Sequence, residues 1–259
     1  GSNLKNYLFF IFLIITVLAI AAGVSYFTWT NDKIVPAFDV NKLNLVIGGN
    51  IIDAENKAKY VNNEVLLSFD LVKEYFDPYI WWDENLGKVT VTTKDRVIRM
   101  QTDNLNALVN NEPIELNIPV TVENNIVYVP IDFLSEFYNI EINYIEKNNV
   151  IVIDYINSVI QTAEVIEDGA AIRTGRSVRY PMIRRISLEE AQNEENKLRI
   201  CEEYDKWYKV RTSDGAVGYI QKKHVVANNP VIAKLPEPEK KDSTWKPQNG
   251  KISLVWEMI

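Results

Sequence analysis

The feature that most constrains this chain is an uncharged apolar run of 24 residues near its N-terminus, residues 7–30. At about 1.5 Å of rise per residue, a helix over this run is roughly 36 Å long, enough to cross a hydrocarbon core of roughly 30 Å. Tyr7, Tyr26 and Trp29 lie at the two ends of the run, where amphipathic rings prefer the headgroup level. We therefore predict a membrane anchor over residues 1–33, with residues 7–30 in the membrane.

A cleavable signal peptide is the alternative interpretation of this run, because Ala19-Ile20-Ala21 resembles a small-residue cleavage site. The apolar run continues well past that site, and signal-peptide cores are usually shorter, which favours a retained anchor. A short N-terminal tail with Lys5, followed by the span and the rest of the chain, favours a single-pass protein with its N-terminus inside. The soluble part is then expected on the extracellular, wall side of the cell membrane.

Composition narrows the classes of function that the soluble part can have. The chain has 28 Lys+Arg against 35 Asp+Glu, a formal charge of −7, whereas a nucleic-acid-binding protein needs a net basic face. A single Cys and a single His argue against a disulfide framework, a thiolate zinc site and multi-histidine metal sites. We predict no nucleic-acid partner, no metal and no cofactor.

Charge also divides the soluble part into regions. Residues 34–157 contain 9 Lys/Arg and 19 Asp/Glu, whereas residues 158–226 contain 12 and 11. This change predicts a domain boundary near Asn157. Residues 227–250 contain four prolines and scattered charges, a composition typical of a semi-extended linker.

The acidic region repeats one pattern with an offset of 62 residues. Each copy has an Asn-rich turn, a short apolar strand, an Asp at the start of an amphipathic run, and then two further strands. The two copies of the first half read VNNEVLLSFDLVKEYF and VENNIVYVPIDFLSEFY. The repeat predicts two tandem α+β lobes, at about 44–103 and 104–157.

Shorter patterns predict the environment of individual strands. Residues 89–92 alternate between Val and Thr, which is typical of a half-buried strand, whereas the continuous apolar run at 150–153 is typical of a strand covered on both faces. Between the repeats, Asn110-Asn111 predicts a hairpin turn, because Asn tolerates the positive φ that such turns need.

Asp70 and Asp132 occupy equivalent positions in the two copies. A pair of catalytic carboxylates is one hypothesis for them. We favour helix capping, because an Asp near a helix N-terminus satisfies free N–H groups and interacts well with the helix dipole.

Residues 44–156 resemble the copper amine oxidase N-terminal-domain-like module, which occurs in secreted and wall-associated proteins of Gram-positive, often clostridial, bacteria. The resemblance is closest in the second copy, where Tyr-Val-Pro-Ile at 128–131 matches the usual Y/L-V-P-L. The first copy departs from the pattern, with Leu-Ser-Phe at 67–69 in place of V-P-L. In this setting the module is not a copper site, and residues 34–157 contain no His and no Cys.

Residues 158–226 follow a different pattern, with R-x-G-x-S-x-x-Y-P-x-I from Arg173 and W-Y-K-V-x-x-x-D-G-x-x-G-Y-I from Trp207. This pattern resembles the bacterial SH3-like domain, which implies a small all-β barrel. The chain departs from the family in an acidic insertion that starts at Ser187. Ser187 and Glu190 match a capping box, which predicts a short helix there.

The SH3-like resemblance implies either a packing module or a domain that binds cell-wall glycan or peptide. In the second case flat aromatic rings with charged groups nearby would bind the partner. The candidate ligand-binding residues are Tyr180, Tyr219, Trp207, Arg173, Asp205, Arg184 and Arg185. Tyr180 is the preferred contact because it lies on a predicted loop, whereas barrel core is the favoured interpretation of Trp207. The arginines have two open interpretations, contact with an anionic wall polymer or a solvated charge network with the acidic insertion. We predict a structural role for Cys201, a surface position for His224, and no catalytic residue.

The last nine residues, 251–259, read KISLVWEMI and begin a buried-strand pattern. They resemble the first barrel strand of clostridial family-18 glycoside hydrolases. The catalytic D-x-x-D-x-D-x-E motif of that barrel does not occur in the chain, so the chain as given is predicted not to be an enzyme.

Together these patterns predict a multidomain chain with an N-terminal transmembrane helix, an α+β tandem-lobe module and an all-β SH3-like barrel. The expected function is that of a non-catalytic membrane-anchoring and cell-wall-targeting region of a cell-surface glycoside hydrolase acting on peptidoglycan or chitin-type glycan, with the C-terminal hydrolase domain as its partner. The alternative is a stand-alone envelope scaffold or protein-binding module with no attached enzyme.

Overall fold

The computed structural model of the chain describes residues 2–232. The predicted linker beyond residue 232 and the predicted barrel strand at 251–259 lie outside the described residues. The described part is mostly β structure, with an N-terminal apolar helix, an α+β module and a second, all-β domain.

The N-terminal helix, α1 (Ser2–Thr28), is the only helix in the described part that is long and apolar enough to cross a membrane. Its apolar segment, Asn3–Tyr26, has a mean hydropathy of 2.8, and none of it is buried against the rest of the chain. An apolar helix whose surface is not covered by protein needs an apolar environment such as lipid. The predicted membrane-spanning helix is therefore present as a helix of suitable length and composition.

The α+β module contains both copies of the repeat in the same order of elements. The first copy consists of β3 (Ala58–Val61), β4 (Glu64–Ser68), α2 (Phe69–Tyr75), β5 (Trp81–Asp83) and β6 (Lys88–Thr92). The second consists of β10 (Thr121–Glu123), β11 (Ile126–Pro130), α3 (Ile131–Tyr138), β12 (Ile140–Ile145) and β13 (Val150–Tyr155). The remaining strands of the module are β1 (Asn44–Ile47), β2 (Asn50–Ile52), β7 (Val97–Gln101), β8 (Asn106–Val109) and β9 (Glu112–Glu115).

These strands form three sheets, in the orders β12-β13-β1-β2, β10-β11-β4-β3 and β5-β6-β7-β8-β9. In the first sheet β1 pairs in parallel with β13, and in the second β4 of the first copy pairs with β11 of the second copy. One continuous hydrophobic core lies between the sheets and helices and contains buried residues from both copies.

The repeat that suggested two lobes at 44–103 and 104–157 is present, and strand pairs cross the proposed boundary between them. β4 of the first copy pairs with β11 of the second copy, and β7 pairs with β8 across residues 103 and 104. Each copy has one apolar sheet face and only one short helix to cover it. A single copy therefore cannot bury its own apolar surface, and the two copies share one core.

Asparagine pairs shape the hairpins of the module. Asn110 and Asn111 have φ values of 49° and 68° and connect β8 to β9, which confirms the predicted hairpin. The pairs at 62–63 and 124–125 have the same left-handed geometry and connect β3 to β4 and β10 to β11. Positive φ at both turn positions matches the right-handed twist of the flanking strands.

The helix starts differ from the predicted capping by aspartate. In α2 the cap is Ser68, whose Oγ accepts a hydrogen bond from the N–H of Leu71 at 3.2 Å, and Asp70 lies inside the first turn. In α3 the cap position is Pro130, which offers no side-chain cap, and the carboxylate of Asp132 accepts a hydrogen bond from the N–H of Val65 in β4. Asp132 thus ties the second helix to the first copy of the repeat.

The second domain is built on a seven-stranded antiparallel sheet with the order β17-β16-β20-β19-β18-β15-β21. Its strands are β15 (Thr162–Val165), β16 (Ala170–Arg173), β17 (Met182–Ile186), β18 (Leu198–Glu203), β19 (Trp207–Arg211), β20 (Val217–Gln221) and β21 (Val225–Ala227). A separate pair, β14 (Val159–Ile160) and β22 (Val231–Ile232), joins the two ends of the domain's chain. The sheet has its own apolar core and the domain is mostly β structure, whereas closure into an SH3-like barrel stays a prediction.

The predicted capping box in the acidic insertion starts a short helix, α4 (Leu188–Ala191). Ser187 Oγ accepts a hydrogen bond from the N–H of Glu190 at 3.1 Å, as the pattern predicts. The carboxylate of Glu190 pairs with the guanidinium of Arg184 on the neighbouring strand β17.

The module and the second domain share an apolar interface. On the outer face of the first sheet, three valines pack in one apolar cluster with Val217, the first residue of β20, and with Ala216, which precedes it: Val46, Val150 and Val152. The predicted burial of 150–153 on both faces is confirmed: Ile151 and Ile153 face the module core, and the second domain covers the opposite face.

A buried ion-pair cluster lies beside this apolar contact. Arg211 donates to both carboxylate oxygens of Asp154, at 2.7 and 2.6 Å, and to the carbonyl of Gly48 at 2.6 Å. Arg199 approaches the same carboxylate at 3.3 Å. Since Asp154 belongs to the module and both arginines to the second domain, the cluster fixes the two domains relative to each other.

Candidate functional site

The structure places the predicted ligand-binding residues in three groups on the second domain, and these groups adjoin at Arg173. Arg173 pairs with Tyr219 in the ladder between β16 and β20, and it lines a small cleft together with Arg185. Trp207 and Tyr219 share one face of the sheet, and Asp205 lies in the turn that leads into β19. Arg173 and Tyr180 lie beside the segment that follows α1, and Arg184 and Arg185 are on β17. They do not form a single site.

The first group lies on the outer face of β19 and β20. In the ladder Trp207 pairs with Gln221 and Lys209 pairs with Tyr219, so Trp207 and Tyr219 are diagonal neighbours on one face. Tyr208 and Val210 point to the opposite face and contact the apolar core. The favoured interpretation of Trp207 as core is therefore wrong: Trp207 is half-buried on the outer face, and Tyr208 has the core position.

Two residues that the sequence analysis did not name extend this face. The ring of Tyr204 lies 6.1 Å from that of Tyr219, centroid to centroid, and the guanidinium of Arg176 lies 3.9 Å from the centre of the Tyr204 ring. A hydrogen bond with the carboxylate of Glu202 raises the pKa of the Tyr204 phenol. We refer to Arg176, Tyr204, Trp207 and Tyr219 as the aromatic face. In the sequence, the spacing of Tyr204 and Trp207 on the two sides of a turn is the pattern that could have identified this face.

The outer face of β19 and β20 is covered at one end and open at the other. At Arg211 and Val217 it packs against the module, whereas Trp207 and Tyr219 lie beyond that contact and stay partly accessible. Rings held by a rigid sheet offer flat apolar area to a sugar or peptide at a small entropy cost. The aromatic face is therefore the best candidate for binding an extended ligand.

Arg173 belongs to a different structure, the docking of the segment that follows α1. Its side chain is buried and donates to the carbonyls of Asn31 at 2.6 Å and Tyr180 at 2.9 Å. Next to it, Met182 exchanges two backbone hydrogen bonds with Lys33 and Val35, so residues 31–35 add to the edge of β17. Burial lowers the pKa of Arg173, against the opposing effect of Asp32. Arg173 is thus a positioning residue and not an accessible ligand contact.

Arg184 and Arg185 both have acidic partners. Arg184 pairs with Glu190 and lies 3.9 Å from Asp214, whereas Arg185 pairs with Asp32 at 3.4 Å. Burial by itself would raise the pKa of Asp214, but hydrogen bonds from Thr212 and Ala216 and the charges of Arg184 and Lys147 lower it overall. Of the two open interpretations, the geometry favours the charge network with the acidic insertion.

Cys201 lies at the interface between the two domains and is half-buried. Burial raises the pKa of its thiol, against the opposing effects of Arg211 and Arg199, so the reactive thiolate is disfavoured. A Cβ atom added to Gly49 of the module would come within 2.5 Å of the Cys201 Cβ. This close packing agrees with a structural role.

The interface also forms an open cleft of about 480 Å³. Its charged residues include Lys197 and Arg199 from the second domain and Asp154 from the module. Lys197 pairs with Glu164 and Glu194, and Arg199 pairs with Asp154. Because each of these cations already has a carboxylate partner, the cleft is a weaker candidate for ligand binding than the aromatic face.

His224 lines a small cleft of about 140 Å³ and is largely buried, not the surface residue that the sequence predicted. Its Nε2 lies 3.0 Å from a Glu167 carboxylate oxygen, and its buried Nδ1 has no hydrogen-bond partner among the described residues. Burial lowers the pKa of His224, against the opposing effect of Glu167. A protonated ring would leave a buried N–H at Nδ1 without an acceptor, which helps to explain why the pKa of His224 is lowered.

We therefore expect the free energy of unfolding to decrease on mild acidification, because His224 is harder to protonate in the folded chain than in the unfolded chain. Its pKa in the folded state lies below the ordinary value near 6.5, so the unfolded chain binds more protons as the pH falls through that value. The stabilising contribution of His224 is fully present above about pH 6.5 and is lost progressively below that pH. Urea unfolding at about pH 7.5 and about pH 5.5 should show a smaller loss for His224→Gln than for the wild type. An equal loss in both proteins would contradict this assignment.

The comparisons with known proteins concern the α+β module. Residues 46–153 match the family model of the copper amine oxidase N-terminal domain, which confirms the resemblance found in the sequence. The match begins in β1 and ends in β13, the two strands that pair in parallel, and it spans the three sheets. No curated protein and no solved structure matches the chain. Residues 46–153 thus form a copper amine oxidase N-terminal domain-like module, a non-catalytic type of domain.

Proposed function

We propose that this chain is a non-catalytic, membrane-anchored region that binds cell-wall glycan or peptide through the aromatic face of its second domain. The observation that carries the proposal is a group of partly accessible rings: Trp207 and Tyr219 on a rigid sheet, and Tyr204 in the adjoining turn. Trp and Tyr are the side chains that most often dominate binding energy at such surfaces. The apolar helix α1 supplies the anchor, and the soluble part then lies on the extracellular side.

The rigid connection between the parts supports the anchoring role. The ion-pair cluster around Asp154 and the apolar contact beside it join the module to the second domain, and residues 31–35 join the second domain to the end of α1. A binding face connected in this way is held at a fixed height and orientation above the membrane. A flexible linker would not fix either one.

The parent protein in this proposal is a cell-surface glycoside hydrolase of the family-18 type, acting on peptidoglycan or chitin-like glycan. The support for it is the resemblance of residues 251–259 to a first barrel strand, together with the SH3-like pattern of 158–226. The anchored region then holds the hydrolase domain near its polymeric substrate.

Sedimentation with purified peptidoglycan tests the binding proposal. We expect the full chain in detergent to sediment with peptidoglycan, and Trp207→Ala or Tyr219→Ala to weaken retention about tenfold or more, since loss of an aromatic hot spot costs about 2 kcal/mol. Trp207 is a usable test position because it lies outside the apolar core. Circular dichroism establishes that each variant is folded.

The matched control is Tyr79→Ala, which removes an aromatic ring that is 83% exposed on the module. It should leave retention unchanged. Binding that survives Trp207→Ala but disappears at high salt or in Arg184→Gln/Arg185→Gln would transfer the site to the arginines. No sedimentation with peptidoglycan at any salt concentration would overturn the wall-binding proposal.

A protein-binding scaffold is the second candidate function, and one observation favours it. Tyr79 and Trp81 are 83% and 65% exposed on the module, next to the outward face of its five-stranded sheet. Exposed aromatic rings of this kind are typical of protein interfaces. If peptidoglycan is ignored and Tyr79→Ala or Trp81→Ala abolishes a crosslink to another envelope protein, the scaffold is the correct function.

A further inference from the structure

The loop between β16 and β17, residues 174–181, lies against the C-terminal end of the membrane-spanning helix. Arg179 donates through Nη2 to the carbonyl of Tyr26 at 3.1 Å, and its guanidinium lies 4.1 Å from the centre of the Tyr26 ring. The N–H of Asn31 donates to the carbonyl of Val178 in the same loop at 2.8 Å. The sequence separates this loop from α1 by about 150 residues, and the fold brings them together.

The position of Tyr26 sets the depth of the loop relative to a bilayer. Tyr26 ends the apolar segment of α1, and Trp29 follows it with about half of its surface exposed. Tyr and Trp at the end of a span lie at the headgroup level. A loop in contact with the backbone and ring of Tyr26 is therefore level with the headgroups when α1 spans the membrane.

The loop is basic, and in the described part of the chain its two arginines contact aromatic rings and not carboxylates. It contains Arg176 and Arg179 and no acidic residue. Within residues 2–232, neither arginine has a carboxylate partner: Arg176 contacts the Tyr204 ring, and Arg179 contacts Tyr26. On the adjacent strand, by contrast, Arg184 and Arg185 are each paired with a carboxylate. Among the residues that the structure describes, the arginines of this loop therefore differ from those of β17 in having no carboxylate partner.

We propose that residues 174–181 bind the surface of the membrane in which α1 is inserted, with Arg176 and Arg179 contacting the phosphates of anionic phospholipid headgroups. The guanidinium group matches phosphate oxygens in geometry and charge, and it is readily stacked on an aromatic ring as Arg176 is on Tyr204. Tyr180, half exposed at the end of the loop, supplies an amphipathic ring at the same level. This contact goes beyond the wall-binding proposal and depends only on the insertion of α1.

Hydrogen exchange of the full chain in lipid nanodiscs tests the contact. One set of discs contains phosphatidylcholine alone, and the other contains phosphatidylglycerol and phosphatidylcholine. We expect the backbone amides of 174–181 to exchange at least threefold more slowly in the anionic discs, because bound side chains restrict opening of the loop. The difference should shrink at about 1 M salt, since exposed charge attraction is screened.

The charge-neutral double variant Arg176→Gln/Arg179→Gln should remove the difference between the two discs. The matched control is Arg96→Gln/Arg99→Gln, two half-buried arginines of the module that also have no carboxylate partner in the described part of the chain. The control should keep the full difference. Equal exchange of wild-type 174–181 in both discs would overturn the proposal.

A further arm separates a lipid surface from a simple anion site. Inorganic phosphate added to the phosphatidylcholine discs should not slow hydrogen exchange of the loop. If phosphate slows this exchange as much as the anionic discs do, the loop is a site for free phosphate and the lipid proposal is wrong. Co-elution of the wild type with both discs shows that α1 is inserted. A chain that does not co-elute would contradict the anchor itself, whereas peptidoglycan binding is measured independently of these discs.

Discussion

Replacing Asp154 with alanine is expected to lower the free energy of unfolding by about 3–5 kcal/mol, which is the usual cost of removing one partner from a buried ion pair. The Asp154 side chain is 11% exposed and that of Arg211 is 9% exposed. Without the carboxylate, the Arg211 guanidinium stays buried with only the Gly48 carbonyl to accept from it. Arg199 loses the same partner.

Urea unfolding of the full chain in detergent, followed by fluorescence, measures this loss. Asp154→Asn should be nearly as destabilising, because it keeps the size of the side chain and removes its charge. Glu141→Ala is the matched control: Glu141 lies opposite Asp154 in the β12–β13 ladder, is exposed, and should change stability by less than about 0.5 kcal/mol. A loss below about 1 kcal/mol for Asp154→Ala would show that the cluster does not stabilise the interface.

A double variant examines the coupling between the two partners. Asp154→Ala/Arg211→Ala should lose less stability than the sum of the two single variants, since neither partner is then left buried without the other. Additive losses would mean that the two side chains act independently despite their short contacts.

Replacing Arg173 with alanine is expected to release the segment between α1 and the second domain. Arg173 donates to the carbonyls of Asn31 and Tyr180, and hydrogen bonds from a charged donor contribute about 1.5–3 kcal/mol. Loss of about 1.4 kcal/mol already raises the open population tenfold. Trypsin should therefore cleave after Lys33 about ten times faster or more in Arg173→Ala, because Lys33 is protected by its bonds to Met182.

The experiment includes an internal and an external control. Cleavage after Lys88, inside β6 of the module, should not accelerate, which distinguishes local release from general unfolding. Arg185→Ala removes an exposed ion pair with Asp32, worth about 0–1 kcal/mol, and a hydrogen bond to the Gly169 carbonyl, which lies outside the segment, so it should accelerate cleavage less than fivefold. Unchanged cleavage after Lys33 in Arg173→Ala would contradict the positioning role of Arg173.

Features that depend on neighbouring residues could be predicted from the sequence. The uncharged run predicts α1, the Val–Thr alternation predicts the half-buried β6, and Asn110-Asn111 predicts a hairpin. Ser187 and Glu190 give the start of α4. Side-chain periodicity, turn conformation and helix capping are fixed within a few residues, so these patterns identify their structures directly.

The face of a strand is harder to assign, because a shift of one residue exchanges its two faces. Trp207 and Tyr208 are adjacent aromatic residues, and either could have faced the core. Tyr208 does so because its ladder neighbours Glu203 and Ile220 place it on the side of Val210 and the apolar cluster. The accessible position of Trp207, and with it the candidate binding face, follows from this pairing.

The membrane-length helix and the repeated α+β pattern could be recognised in the sequence without the structure. Only the tertiary structure decided that β1 pairs with β13, that Asp154 meets Arg211 and Arg199, and that Arg173 is buried under residues 31–35. The physical reason is the range of the interactions. Local periodicity and turn chemistry act over a few residues, whereas these pairings join residues more than 40 positions apart and are selected by packing of the whole chain.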